Sequence, residues 1–269
     1  MVKNILFYII ALSILYSCGN TTQTVQNSPP PPQEESLLDI KQNGNIKLYE
    51  QFSTQIEGAV ISPIKTFATD TSINYNFSVY GFELGAQTSD ATKRKCANSA
   101  QGQHIHNIIN NMPYTAEYKP TYEKKLAPGH YVSLSFLSRS YHESVKNTGG
   151  YYMTDFIVGK VEAPRSDGFD LRGANLFYSR PKGTYVGELE TRMVLLDFFI
   201  TGCELSENGY YVIATINGTS FKLTRWRAYW IEGLQLGEST IQLSLHNHDG
   251  SLVKSPYNPV TRTITLKDK

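Results

Sequence analysis

The residues best suited to chemistry fall in one stretch of the chain. His104 and His106 stand two apart in Gly102-Gln103-His104-Ile105-His106, and His142 follows in Ser138-Arg139-Ser140-Tyr141-His142-Glu143. On a strand, a spacing of two turns both imidazoles to one face. Such a pair, joined by a third imidazole, makes a ligand set for copper or zinc, and Cys96 could add a thiolate. Cys96 follows Thr92-Lys93-Arg94-Lys95, and basic neighbours lower a thiol pKa while opposing a bound cation. No CxxC, HExxH or carboxylate cluster accompanies the set. Two other roles stay open: histidines that only hydrogen-bond within the fold, and histidines that touch an organic ligand.

A second group reads as a contact set for an anionic or peptide ligand. It comprises Arg139, Tyr141 and Lys146 in SRSYHESVK, with Arg180 and Lys182 in YSRPKGTY. Guanidinium forks match phosphate and carboxylate; the competing reading is a solvated charged face beside Glu143. Catalytic constellations are thin. Ser140 and His142 lack a third orienting group, and no Gly-x-Ser-x-Gly elbow, Walker A or Rossmann fingerprint is present. An enzyme is not the expected reading. With 25 Lys+Arg against 24 Asp+Glu the formal charge is +1, which argues against a nucleic-acid partner.

The elements that must carry these residues are strands. Hydrophobic residues make up 40% of the chain and charged residues 18%, enough for a packed core. Residues 73–79, 131–136, 240–245 and 261–266 alternate apolar and polar, with turn signals at Pro128-Gly129, Gly149-Gly150, Asn217-Gly218 and Asp249-Gly250. No long amphipathic helix stands out. The implied fold is all-β, and an internal repeat makes it two tandem immunoglobulin-like sandwiches. YNFSVYGFEL (75–84) aligns with LDFFITGCEL (196–205), residues 110–136 align with 217–245 around a turn Asn, and Val145-Lys146 matches Val253-Lys254. Cys203 then aligns with Phe82 and reads as a small apolar residue, which argues against a Cys96–Cys203 disulfide. The expected layout is a first sandwich over 49–160, a linker over 161–174 and a second sandwich over 175–269. The first copy carries an inserted loop, 85–103, absent from the second, where Tyr211 stands opposite His104.

The N-terminus reads as an address. A positive start, an apolar run over 5–16 and Leu15-Tyr16-Ser17-Cys18 make residues 1–17 a signal peptide with Cys18 as the lipidated residue. Two or more acyl chains would give stable anchoring to a membrane. Residues 18–48, with prolines at 29–32, read as a tether. Gly19 after the Cys suits the outer membrane facing the periplasm, with the cell surface as the alternative.

The segments YGFELGAQT (80–88), CANSAQGQHIH (96–106), FLSRSYHESVK (136–146), LFYSRPKGTYVG (176–187) and WIEGLQLGE (230–238) resemble, in the same order, a group of Bacteroidota lipoproteins, some labelled phosphopeptide-binding protein. That label fits a likeness to forkhead-associated domains, whose motif has Ser-Arg-x-His. Here Arg139-Ser140-Tyr141-His142 has one residue too many and no Gly-Arg precedes it, so no binding residue is carried over. The resulting expectation is an envelope lipoprotein acting as a non-enzymatic binding or interaction module. Its site would lie on the first domain, formed by the 85–103 loop, the His104/His106 strand and residues 138–146. The alternatives are a copper- or zinc-binding lipoprotein and a structural envelope protein without a small ligand.

Overall fold

The computed structural model describes residues 40–54, 56–94 and 96–269. The expected signal peptide over 1–17, Cys18 and the expected tether up to residue 39 lie outside the described residues. The described chain is built from strands: β1 (Ile40–Asn43), β2 (Ile46–Glu50), β3 (Val60–Ala68), β4 (Ser72–Tyr80), β5 (His104–Ile109), β6 (Thr115–Glu117), β7 (Thr121–Lys125), β8 (Gly129–Ser138) and β9 (Tyr151–Val158) in its first part. The second part holds β10 (Asn175–Arg180), β11 (Thr184–Val186), β12 (Met193–Thr201), β13 (Tyr211–Ile216), β14 (Thr219–Leu223), β15 (Tyr229–Glu232), β16 (Gly237–His246) and β17 (Val260–Lys267). Among the described residues, helix is confined to single turns at Ala91–Lys93 and Glu188–Thr191, and no helix is long and apolar enough to cross a membrane.

The strands form four sheets, in the orders β3-β4-β7, β6-β5-β8-β9, β1-β2-β15-β12-β10 and β11-β17-β16-β13-β14. The first two enclose a core of Ile61, Ile73, Tyr75, Phe77, Ile105 and Leu137. The last two enclose a larger one that includes Leu48, Tyr178, Phe198, Val212 and Leu243. The fold is therefore all-β, made of tandem immunoglobulin-like sandwiches, as the period-two patterning implies.

Five strand pairs recur between the two copies. β3–β4, β4–β7, β5–β6, β5–β8 and β8–β9 are antiparallel in the first, and β10–β12, β12–β15, β13–β14, β13–β16 and β16–β17 in the second. The recurring residues do recurring jobs. The turn Asn accepts a backbone bond from the following long strand in each copy, Val132 N–H to Asn110 Oδ1 at 2.9 Å and Thr240 N–H to Asn217 Oδ1 at 2.8 Å. The Gly of Gly-x-Glu-Leu is required in both. Gly81 (φ +64°) and Gly202 (φ +68°) sit where a Cβ would run into the carbonyl oxygens of Gly58 and Gly173.

A third apolar layer joins the sandwiches. Ile108, Leu134 and Phe136 from the β5–β8 sheet pack on Phe177 and Phe199 from β10 and β12, with Phe136 and Phe199 stacked at 4.8 Å between centroids. This is why β10 is buried along its whole length and β12 over all but its first residue, while β13 alternates with one wet face. The interface also takes in polar groups. Asn111 donates to the Leu176 and Tyr257 carbonyls and accepts from Tyr178 N–H. Lys146 pairs with the fully buried Asp197 at 2.5 Å, and Ser144 donates to the same carboxylate.

One boundary differs from expectation. Residues 40–48, assigned to the tether, form β1 and most of β2, and β2 pairs with β15 of the second sandwich. Ile46 and Leu48 sit in that sandwich's core. The alternation Ile46-Lys47-Leu48-Tyr49-Glu50 is real but short, and its partner lies far along the chain. Cys96 and Cys203 are both free thiols.

Candidate metal centre

β5 turns Ile105 into the first core and Ile108 toward the second sandwich. By the same alternation His104 and His106 face the inter-sandwich layer, and both are fully buried. His104 Nε2 lies 2.9 Å from His106 Nε2 and 3.2 Å from His142 Nδ1. One ring nitrogen from each of the three lies within 4.8 Å of the others. Nitrogens bound tetrahedrally at zinc bond lengths would stand about 3.3 Å apart, so small movements would seat one ion.

The outer hydrogen bonds decide what these nitrogens offer. His104 Nδ1 lies 2.8 Å from the Gly102 carbonyl, which only accepts, so Nδ1 carries the proton and Nε2 presents its lone pair to the cluster. His106 Nδ1 lies 3.2 Å from Ser179 Oγ on β10. A backbone carbonyl and a hydroxyl behind two of three imidazoles are the outer partners that orient histidine ligands on a metal. Two species fit the point where the nitrogens meet: a proton donated by His106, or a metal ion. Tyr114 stacks on His106 (centroids 3.4 Å, interplanar 12°), and Phe136 meets it edge-on.

His142 is held in an unusual conformation. The turns after β8 and β16 share their bonding: Arg139 N–H to Glu143 O, His142 N–H to Arg139 O and Val145 N–H to Leu137 O in the first copy; Asn247 N–H to Ser251 O, Gly250 N–H to Asn247 O and Val253 N–H to Leu245 O in the second. His142 thus stands where the second copy has Gly250. Both are left-handed, at φ +71° and +87°. A non-glycine residue there costs about 1–2 kcal/mol. The other two histidine positions correspond to Tyr211 and Ile213, so all three imidazoles are peculiar to the first copy.

The inserted loop braces this arrangement. Ser140 N–H donates to Thr88 Oγ1 at 2.9 Å, Ser99 N–H donates to the Ser140 carbonyl, and Gln103 N–H donates to the Ala86 carbonyl. The same loop supplies the Gly102 carbonyl that fixes His104.

Electrostatics keep the rings neutral. Burial pushes the His104 pKa down to about 4, and Arg180 and Lys182 add to the effect. His106 is lowered by burial and then by the other two histidines; His142 by burial and then by Arg180. Both cations come from the second sandwich. Arg180 donates to the Tyr185 hydroxyl. Lys182 donates to the Tyr114 carbonyl at 2.7 Å and sits 3.8 Å over its ring. Burial, then Arg180 and Arg262, bring Lys182 down to about 8.

The remaining residues singled out in the sequence are dispersed. Cys96 is not among the grouped donor atoms. It lines a small cavity with Tyr141, His142, Arg180 and Met193. Burial raises its thiol to about 12, outweighing the lowering by Arg94 that its basic neighbours suggested. Arg139 is committed to Glu143 and the Thr54 carbonyl, and Lys146 to Asp197. Tyr141 is buried with its hydroxyl 3.4 Å from Asp90. Of this set Arg180 and Lys182 adjoin the histidines. Gly102, Tyr114 and Ser179 were not singled out; the first and last act through atoms that carry no motif.

No protein-family model and no curated protein matches the sequence. Among solved structures the chain is similar to fibronectin(III)-like modules of Clostridium thermocellum CbhA, at 11% identity and TM-score 0.28, covering 78% of this chain and 95% of that one. It is similar to a two fibronectin type-III domain segment from chicken tenascin, at 8% identity and TM-score 0.20, covering 77% and 97%. A third similar structure is Bacteroides ovatus SGBP-B in complex with a mixed-linkage heptasaccharide, at 12% identity and TM-score 0.19, covering 83% and 48%. The functional reading rests on the geometry of the site.

Proposed function

We propose that the chain is a non-enzymatic, metal-binding module of the bacterial envelope, tethered through lipidated Cys18, that holds one copper or zinc ion on His104, His106 and His142. The observation that carries the reading is the convergence of three neutral ring nitrogens within 4.8 Å, with the tautomer of His104 set by the Gly102 carbonyl. Two further features support it. One ligand occupies a left-handed position that the second copy gives to glycine. The nearby carboxylates of Glu143 and Asp197 are paired elsewhere, so among the described residues no free carboxylate adjoins the group as a general base.

The test uses the full chain, stripped of metal and reloaded. One equivalent of copper or zinc should be retained through desalting and should raise Tm. His106→Phe, which keeps an aromatic ring against Tyr114, should retain none. Retention of metal by His106→Phe, or no retention and no thermal shift in the unaltered chain, would overturn the reading. Lipidation is tested separately: Cys18→Ser should leave the chain unacylated and release it from the membrane fraction.

A further inference from the structure

Resting on that reading, we infer that the site selects the monovalent ion Cu(I) and disfavours divalent ions. The donor group holds three imidazoles and no carboxylate or thiolate. Two cations of the second sandwich stand beside it: Arg180 lines one cavity with His142, and Arg180 and Lys182 lie 5.5 and 3.8 Å over the Tyr114 ring that stacks on His106. Arg180 is buried, hydrogen-bonds the neutral Tyr185 hydroxyl, and pairs with no carboxylate among the described residues. The nearby acids are committed elsewhere: Glu143 accepts from Ser53 at 2.5 Å and faces Arg139, Asp197 holds Lys146, and Asp90 holds Arg94. A dication would therefore enter a buried site with no counter-charge among the described residues and two like charges beside it, whereas a monocation feels half that repulsion.

Coordination chemistry points the same way. Zinc on three histidines keeps a fourth position for water, but the Tyr114 ring lies flat on His106 and both strand histidines are fully buried. Cu(I) is soft and suited by imidazole and sulfur donors.

The experiment titrates the metal-stripped full chain with Cu(I), anaerobically and against a chromogenic Cu(I) chelator, and separately with Zn(II) against a zinc chelator. It then repeats both on Lys182→Gln and Arg180→Gln. The native chain should take one Cu(I), remain free of a Cu(II) paramagnetic signal on exposure to air, and bind Zn(II) at least a hundredfold more weakly. Removing a neighbouring positive charge should tighten the dication twice as much, on a logarithmic scale, as the monocation. A threefold gain for Cu(I) would thus accompany a ninefold gain for Zn(II). Lys182→Gln is the milder change, because Lys182 is only half-buried. Equal affinity for the two ions, or equal gains in the charge variants, would overturn the selectivity while leaving the metal site standing. Failure of the native chain to bind either ion would overturn both.

Discussion

His142 gives the sharpest separation of structure from function. Its backbone is left-handed at φ +71°, at a turn whose counterpart carries Gly250 at φ +87°. Consider His142→Ala and His142→Gly. Both delete the imidazole, so both should lose the metal. They differ in the Cβ. In the left-handed region a Cβ costs about 1–2 kcal/mol. Glycine gives back about 0.4–1 kcal/mol through its freer unfolded chain. The balance leaves His142→Gly the more stable by roughly 0.5–1 kcal/mol, or about 1–4 °C for a chain of this size. Gly250→Ala supplies an internal control: a Cβ there would make only an ordinary 3.6 Å contact with the Tyr211 hydroxyl, so its cost should match the gap at 142. Urea melts of the three metal-stripped variants and the unaltered chain measure these differences. If His142→Ala proved as stable as His142→Gly while Gly250→Ala lost stability, the turn would not be strained at the ligand. If either His142 variant kept stoichiometric metal, His142 would not be a ligand.

Three other outcomes follow from the buried polar groups. The folded pKa of His104 is lowered to about 4 against an unfolded value of 6.5, so the unfolded chain binds more protons below pH 6.5. The metal-stripped protein should keep full stability above pH 6.5 and lose up to about 3 kcal/mol from this residue alone as pH falls to 4, with His106 and His142 adding in the same direction; melts across that range check it. Because the folded rings are neutral, with no excess proton to displace, Cu(I) affinity should change less than threefold between pH 8 and 6, as chelator competition at each pH would show. Lys146→Met would strand the buried carboxylate of Asp197 and should cost about 3–5 kcal/mol by denaturant unfolding. Asn111→Ala would leave two carbonyls and the Tyr178 N–H unpaired between the sandwiches and should cost about 2–4 kcal/mol.

Where local rules dominate, the sequence was readable. The alternation over 73–79 lies in β4, and the runs at 131–136, 240–245 and 261–266 lie in β8, β16 and β17. The repeat showed because Gly81 and Gly202, and Asn110 and Asn217, answer the same backbone demands in both copies. The two-residue spacing of His104 and His106 was enough to put both on one face. The rest depends on contacts between distant segments. β2 pairs with β15, so a short alternation beside a proline run was read as tether. Asp197 sits inside the apolar run of β12, and Lys146 and Ser144 across the interface explain it. Arg139 and Lys146 suggested an exposed anion site, yet the fold turns both inward to Glu143 and Asp197. The left-handed turn at His142 carries no compositional mark, because glycine is what such a turn normally announces. The residues behind the imidazoles act through a carbonyl at Gly102 and a hydroxyl at Ser179, which no spacing rule picks out.

X-ray absorption of the copper-loaded full chain tests the central claim most directly. Three nitrogen scatterers at about 2.0 Å with the outer-shell pattern of imidazole are what three histidines converging between two sandwiches predict. A sulfur shell near 2.3 Å, or fewer than three imidazoles around the copper, would contradict it.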